Sequence, residues 1–450
     1  MSELREIPKF TVDLSLPPET RYDHIVPHFK TAVDSCDLPS LFYTLLDELV
    51  GKSAGKIIAA ISPLLMRRVH SDEENAELVG ISRAIGIPMH ILVAFNVLLD
   101  LLLGCTSGGV RTLDPDSGGK ATRMLHFRTL DWDMNQLRNI IVELDFVRTP
   151  GGPVIATTVG YLGYIGVLTG VRKGMSLSLN FRPHHARDTL RQRLSYRYNQ
   201  AMVVLGQRQS ISSSLREILL GDSTIPEKQS DEAHETDNTS PDLQDQYVQQ
   251  VLSKLSTSSS TAAYLILCQP DRVLILEKDN HSASIRESDT FLTAYNHDVK
   301  DEDNPELLQQ AAAELAAGAD ATGMADLVAH SLERKHDLDK LWKKCVRACR
   351  RRHKLRDDVV TREDVVKFLQ NDMIRNEETH YAVIMDPKEG KVLWRSAYEC
   401  MGAAAYYGKS GIQYEQRSKG RQSETVPFDN EFTLHGLISE CDPEYRAESK

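Results

Sequence analysis

Seven cysteines, at 36, 105, 268, 345, 349, 400 and 441, are scattered through the 450 residues without a repeating spacing. An odd, dispersed set argues against a disulfide framework and fits thiols kept reduced. Cys105 stands out by its surroundings. It follows a long apolar run and is bracketed by Gly104, Thr106, Ser107, Gly108 and Gly109. Small residues let the backbone bend sharply and let a reacting group approach closely. A thiol with an ordinary pKa of about 8.5 needs a base, a cation or a helix N-terminus before it acts as a nucleophile. The run before Cys105 reads as a helix, and its C-terminal end is the wrong pole for a thiolate. On residue types alone, buried packing suits Cys105 better than catalysis.

Other chemistry-bearing residues point less far. Cys345 and Cys349 lie one helical turn apart, inside a run of cations from 343 to 356 that works against a metal site. That run reads as a solvated helix face, with an acidic-partner, lipid-surface or nuclear-import patch as its alternative. His184 and His185 follow Pro183 and read as loop residues. Gly160, Gly163, Gly166 and Gly170 form no complete phosphate-binding fingerprint. Neither a metal nor a cofactor is expected.

The elements that must hold Cys105 change character at that residue. Residues 5–22 look extended and proline-punctuated, and 23–104 carry helical periodicity, clearest over 28–50 and 74–85. Residues 87–105 approach the length of a membrane span but contain His90, Asn96 and Asp100, so they read as a buried core helix stopping at Gly104-Cys105. Beyond it, β-branched and aromatic runs at 140–147, 154–159, 164–168 and 175–179 suggest antiparallel sheet. Helices are expected over 188–204 and 211–220, and 222–246 reads as a disordered polar insertion. Strand texture returns at 263–268, 273–277 and 290–295; helical texture at 311–317 and 327–356. Thr361 opens a further helix to Leu369, and a last strand pair covers 380–385 and 391–394. Residues 401–450 read as a polar tail. The composition, 41% hydrophobic and 26% charged, is that of a globular protein, and a net charge of −11 counts against nucleic acid as a partner. The charged N-terminus lacks the apolar run of a secretory signal, which points to the cytoplasm, or to a lysosome-like compartment if the N-terminus is incomplete.

Several collinear motifs then carry a resemblance. Gly104-Cys105-Thr106-Ser107, Arg128-Thr129-Leu130-Asp131, Leu144-Asp145-Phe146 and the stretch from Gly163 to Gly170 resemble the acid ceramidase and N-acylethanolamine-hydrolysing acid amidase family. So do the segment from Val12 to Glu19 and the late strand from Thr379 to Asp386. The resemblance implies an α+β fold, the four-layer αββα sandwich of N-terminal nucleophile hydrolases. It divides the chain into a helical small-subunit-like segment, 1–104, an amidohydrolase domain, 105–400, and the tail. It implies self-cleavage between Gly104 and Cys105, an α/β heterodimer afterwards, and hydrolysis of a fatty N-acyl amide through a thioester on Cys105. Lipid amide is then the substrate partner, with transient contact to a membrane surface. By the same resemblance Arg128 orients the nucleophile or carbonyl, and Asp131 holds the new ammonium. Asn296 is the oxyanion donor; an unshifted alignment would place that role on Ala294, which has no donor.

Two departures keep other readings open. Phe181 stands where the family has a Glu tied to self-cleavage, and 298–305 lack the arginines of a family Asp-Asp-Arg-Arg motif. Phe181 motivates an uncleaved, non-catalytic lipid-binding protein; the Gly-Cys-Thr junction also fits an acyltransferase of the isopenicillin N type.

Overall fold

A computed structural model describes residues 4–98, 104–117, 121–132, 134–183, 185, 189–221, 241–302 and 322–399. The expected helix at 311–317, the tail 401–450 and residues 222–240 of the expected insertion lie outside them. Residues 241–246 are not disordered: they open a helix, α8 below.

The first 98 residues give two short strands, β1 (Leu4–Arg5) and β2 (Lys9–Asp13), and five helices. These are α1 (Val26–Cys36), α2 (Leu38–Val50), α3 (Lys52–Leu65), α4 (Asp72–Ile85) and α5 (Met89–Leu98). Local chemistry sets their ends. Ser71 caps α4 by accepting from the Glu74 amide, and three acidic residues in its first turn complement the helix dipole. In α5, Ile91 to Phe95 and Val97 are all buried, so this helix is core on nearly every side. No described helix is long and apolar enough to cross a membrane.

The rest is dominated by sheet. β3 (Gly104–Leu113) and β4 (Thr122–Asp131) are followed by β5 (Ile141–Val147), β6 (Val154–Tyr161), β7 (Thr169–Arg172) and β8 (Met175–Phe181). Three helices come next: α6 (Leu190–Val204), α7 (Ile211–Leu220) and α8 (Pro241–Thr257). Then come β9 (Ala263–Cys268), β10 (Val273–Lys278), β11 (Ala283–Ser288) and β12 (Phe291–Ala294). The long helix α9 (Thr322–His353), α10 (Arg362–Leu369), β13 (Thr379–Asp386) and β14 (Lys391–Tyr398) close the described chain.

The strands form two sheets, ordered β1-β14-β13-β4-β3-β12 and β11-β10-β9-β8-β7-β6-β5-β2. All pairings are antiparallel except β2 with β5. β3 and β4 face β8 and β9 across the interior, so strands such as β5, β8, β9 and β10 are buried along their whole length. α9 and α10 cover the outer face of the first sheet through Leu338, Val346, Val365 and Phe368. α7 and α8 cover the second. The result is the αββα sandwich.

Three details differ from the expectations. The N-terminal segment is helical but also supplies an edge strand to each sheet. Residues 164–168 are not a strand, because side chains take their backbone groups: Asn96 accepts the Ile165 N–H at 2.7 Å and Arg216 donates to the Ile165 carbonyl at 3.0 Å. Gly104-Cys105 does not end a helix; both residues belong to β3, so the helix dipole does not bear on the thiol. The glycines of β3 answer to packing. A Cβ on Gly108 would meet the Leu292 carbonyl, and one on Gly109 would meet Val273 and Cys268.

Candidate active site

Cys105 is the second residue of β3 and is fully buried. Across the ladder it opposes Leu130 of β4, and Gly104 opposes Asp131. On its other side β12 pairs only from Phe291 opposite Val110 to Ala294 opposite Ser107. Continued by two residues, that register sets Asn296 opposite Cys105. There the side chain replaces the missing rung: Asn296 Oδ1 accepts the Cys105 N–H at 2.9 Å. The register thus separates the two alignments of the family asparagine, with Ala294 against Ser107 and Asn296 against the cysteine.

Arg128 comes from the middle of β4 and is wholly buried. Its Nη2 donates to Cys105 Sγ at 3.2 Å, and its Nη1 donates to the Leu168 carbonyl. Asp131, at the end of β4, accepts from Thr379 Oγ1 at 2.7 Å and from Arg334 Nη1 at 2.8 Å. Cys105, Arg128, Asp131 and Asn296 therefore lie together. Asn296 is not poised as expected, however. Its Nδ2 donates to the Phe181 carbonyl at 2.9 Å, so in this state that donor is engaged with backbone rather than turned toward a substrate. The assignment of its two amide atoms follows from their partners, since the Cys105 N–H and a guanidinium both require an oxygen.

Arg334 is the residue that sequence reasoning missed. It lies on α9, fully within the site, and donates to Thr106 Oγ1 at 3.1 Å, Asn296 Oδ1 at 3.0 Å and Asp131 Oδ2 at 2.8 Å. A guanidinium thus reaches the site from a helix, although 298–305 contain none. Its immediate sequence, Leu332-Glu333-Arg334-Lys335-His336, looks like a solvated charge run. The usable signal was spacing: Ser331, Arg334, Leu338 and Cys345 share one buried helical stripe.

Two further contacts fix the strands around the thiol. Ser107 Oγ donates to Asn180 Oδ1 at 2.7 Å, and Asn180 Nδ2 donates to the Ala294 carbonyl at 3.1 Å, tying β3, β8 and β12. Arg182 and Asp298 form a buried two-bond ion pair at 2.7 and 2.6 Å just beyond Asn296. Phe181 is buried among apolar neighbours and contributes only its carbonyl to the site.

Burial raises the Cys105 thiol above its ordinary pKa, while the Arg128 cation pulls it back. Burial likewise raises the Asp131 carboxyl, against the opposing pull of Arg334 and Thr379. A charged thiolate here would be stabilised by two guanidiniums in a water-poor interior, where such contacts are strong. On the helical side, a small apolar cavity of about 30 Å³ lies between α2 and α5, lined by residues including Leu38, Leu41, Phe42, Phe95 and Met134. The Phe95 ring meets Tyr164 edge-on at 5.8 Å and lies 6.4 Å from Tyr161, which starts an aromatic wall toward the sheets. Among the described residues no His, Cys, Asp or Glu cluster has the makings of a metal site. Cys345 and Cys349 are free thiols buried on the inner face of α9.

Comparison with known proteins gives a consistent picture. The family model for the beta subunit of N-acylethanolamine-hydrolyzing acid amidase matches residues 5–70. Mouse acid ceramidase is 30% identical over 197 residues, covering 39% of this chain and 46% of the relative. Human acid ceramidase is 28% identical over 198 residues, with the same coverage of 39% and 46%. The Caenorhabditis elegans N-acylethanolamine-hydrolyzing acid amidase is 36% identical over 126 residues, covering 26% of this chain and 33% of the relative. The chain thus spans about half or less of the length of the curated relatives it matches. The solved structure of the Caenorhabditis elegans N-acylethanolamine-hydrolyzing acid amidase ortholog superposes with a TM-score of 0.41 at 20% identity, covering 63% of this chain and 93% of that one. Taken with the motifs set in order around Cys105, the sequence matches show that the chain is similar to acid ceramidase and to N-acylethanolamine-hydrolyzing acid amidase.

Proposed function

We propose that the chain is a cysteine N-terminal nucleophile amidohydrolase acting on fatty N-acyl amides. One observation carries the reading: both reactive atoms of Cys105 are held, its nitrogen by Asn296 and its sulfur by Arg128. Cleavage between Gly104 and Cys105 would leave a 104-residue piece and, from 450 less 104, a 346-residue piece. The freed α-amine, with an ordinary pKa of about 7.7–8.0, is a base far better matched to neutral pH than a lysine. Asn296 Oδ1 and the Asp131 carboxylate would then hold that amine. The thiolate attacks the amide carbonyl and the amine proton goes to the leaving nitrogen. Water hydrolyses the resulting thioester, releasing the acid and restoring the thiol. The full burial of Cys105 in the uncut chain means that cutting must also open the site.

The lipid character of the substrate is supported by the names of the relatives. Two helices flanking α5 also expose apolar residues: Ile57, Ile61 and Leu64 on α3, and Leu190, Leu194 and Tyr198 on α6. Such stripes suit transient contact with a membrane surface from which a lipid amide is drawn. The two pieces would stay together, because β1 and β2 of the first piece are edge strands of sheets built by the second. Phe181 favours a second reading, an uncleaved protein that only binds lipid. Intact-mass measurement with N-terminal sequencing separates the two. A chain beginning at Cys105 supports the hydrolase, whereas full-length protein alone, even after acidification, leaves the binding protein. If cleavage occurs, acyl transfer to an added amine in excess of hydrolysis would identify an acyltransferase instead.

A further inference from the structure

Asn296 is gripped from a direction the reaction does not require. Its backbone N–H donates to Ser331 Oγ at 2.8 Å. The same oxygen lies 2.7 Å from His297 Nδ1, and His297 Nε2 lies 3.2 Å from Glu302 Oε1. Glu302 in turn pairs with Lys335 at 3.4 Å, which pairs with Asp339 at 2.9 Å. Ser331 and His297 are buried, and Glu302 is the most exposed of these three.

The contacts accommodate a proton chain that runs outward from Asn296 to Glu302. Ser331 Oγ accepts the Asn296 N–H, and its rotatable hydroxyl proton can be directed to His297 Nδ1 as acceptor. His297 then carries its proton on Nε2 and donates it to the Glu302 carboxylate. Each group donates once toward Glu302. Ser331 also sits three residues before Arg334, on the same face of α9. The helix therefore holds Asn296 at two points, its N–H through Ser331 and its Oδ1 through Arg334.

We propose that Ser331, His297 and Glu302 are positioning residues, a hydrogen-bonded relay that locks Asn296 so that its Oδ1 is set on the nitrogen of residue 105. None of the three touches Cys105. They act through Asn296, which has no regular ladder to hold it, because β12 ends at Ala294. The catalytic consequence rests on Cys105 being the nucleophile; the geometric one does not.

The test uses the full chain carrying Cys105→Ala, which removes the thiol that self-cleavage would need and so keeps the backbone amide at position 105. Residue-resolved hydrogen exchange of that amide reads the Asn296 contact directly, and Asn296→Ala sets the fully released rate. Ser331→Ala should speed exchange at 105 about tenfold, as expected for one lost buried hydrogen bond. Glu302→Gln, at the far end, should speed it about threefold. Ser331→Thr, which keeps the hydroxyl, should restore the parent rate, and amides of β9 should not change in any variant. A wild-type rate at 105 in both Ser331→Ala and Glu302→Gln, with Asn296→Ala fast, overturns the relay; so does failure of Ser331→Thr to restore it. With Cys105 present, the same variants should lower kcat by matching factors with KM unchanged. A parent enzyme that releases no acyl group at all refutes the amidohydrolase reading, while the exchange rates still decide the relay.

Discussion

Arg128, Arg334, Asp131 and Asn296 converge on Cys105, whereas Arg21, Glu74, Glu77 and Arg216 converge on one another. The second cluster lies at the seam between α4 and α7, thus between the segment before Cys105 and the domain after it. Glu77 meets Arg21 and Arg216, each at 2.8 Å, and Ser213 bonds Glu74 at 2.7–2.8 Å. Both clusters are buried and charged, and both shift pKa values. They differ in what they surround. At the seam, opposite charges satisfy each other and join two segments. At the site, cations, an amide and a carboxylate are arranged around the Cys105 sulfur and nitrogen, the two atoms on which the proposed mechanism rests. Perturbed ionisation therefore does not single out a site here; what distinguishes the candidate site is convergence on the atoms of one cysteine.

The comparison can be broken most forcefully at Glu77. Glu77→Ala leaves two buried guanidiniums without their shared carboxylate and should cost about 3–5 kcal/mol of stability. Chemical denaturation measures this, and kcat of the folded fraction should stay within about twofold of the parent. A large fall in kcat at unchanged stability would make the seam part of the catalytic machinery. Arg128→Lys should show the opposite pattern. It keeps the charge but not the fork that spans Cys105 Sγ and the Leu168 carbonyl, so kcat should fall roughly 100-fold. Unaltered turnover in that variant would deny Arg128 its place beside the thiol.

The smallest expected effect concerns Glu74 and pH. Burial raises its carboxyl above the ordinary value, with Arg216 and Ser213 opposing. A carboxyl raised in the folded state binds its proton more tightly folded than unfolded. Its contribution is thus favourable in acid and is lost as pH rises through the folded pKa. The seam should tighten on acidification from neutrality. Glu74→Gln, which mimics the protonated acid, should flatten the dependence of unfolding on pH and gain about 1 kcal/mol on the parent near pH 8. Parallel curves for the two proteins would remove Glu74 from the pH response.

How much of this was legible in the sequence depends on whether the cause was local. The Thr361 start of α10 follows from a capping box that Thr361 and Asp364 make between themselves. The β13–β14 pair and the buried runs of β9 and β10 follow from β-branched composition bounded by turn residues. β3 was missed because Gly-Cys-Thr-Ser-Gly-Gly has little strand propensity; its neighbours on both sides hold it extended. At the site, Cys105, Arg128 and Asp131 sit on two paired strands, close enough in sequence for motif spacing to reach them. Asn296 depended on a register that only the β3–β12 ladder displays. Arg334 and Ser331 come from a helix joined to the site through tertiary packing alone, and their charged, polar surroundings resemble a surface.

The central claim is that Cys105 is the nucleophile, and its direct test is a trapped acyl-enzyme. Protein turning over an N-acyl amide is quenched in acid, digested and weighed by mass spectrometry. The account requires an acyl mass on the peptide beginning at Cys105, removed by hydroxylamine and absent from Cys105→Ala. Acyl release that survives Cys105→Ala, or an adduct on any other residue, would contradict it.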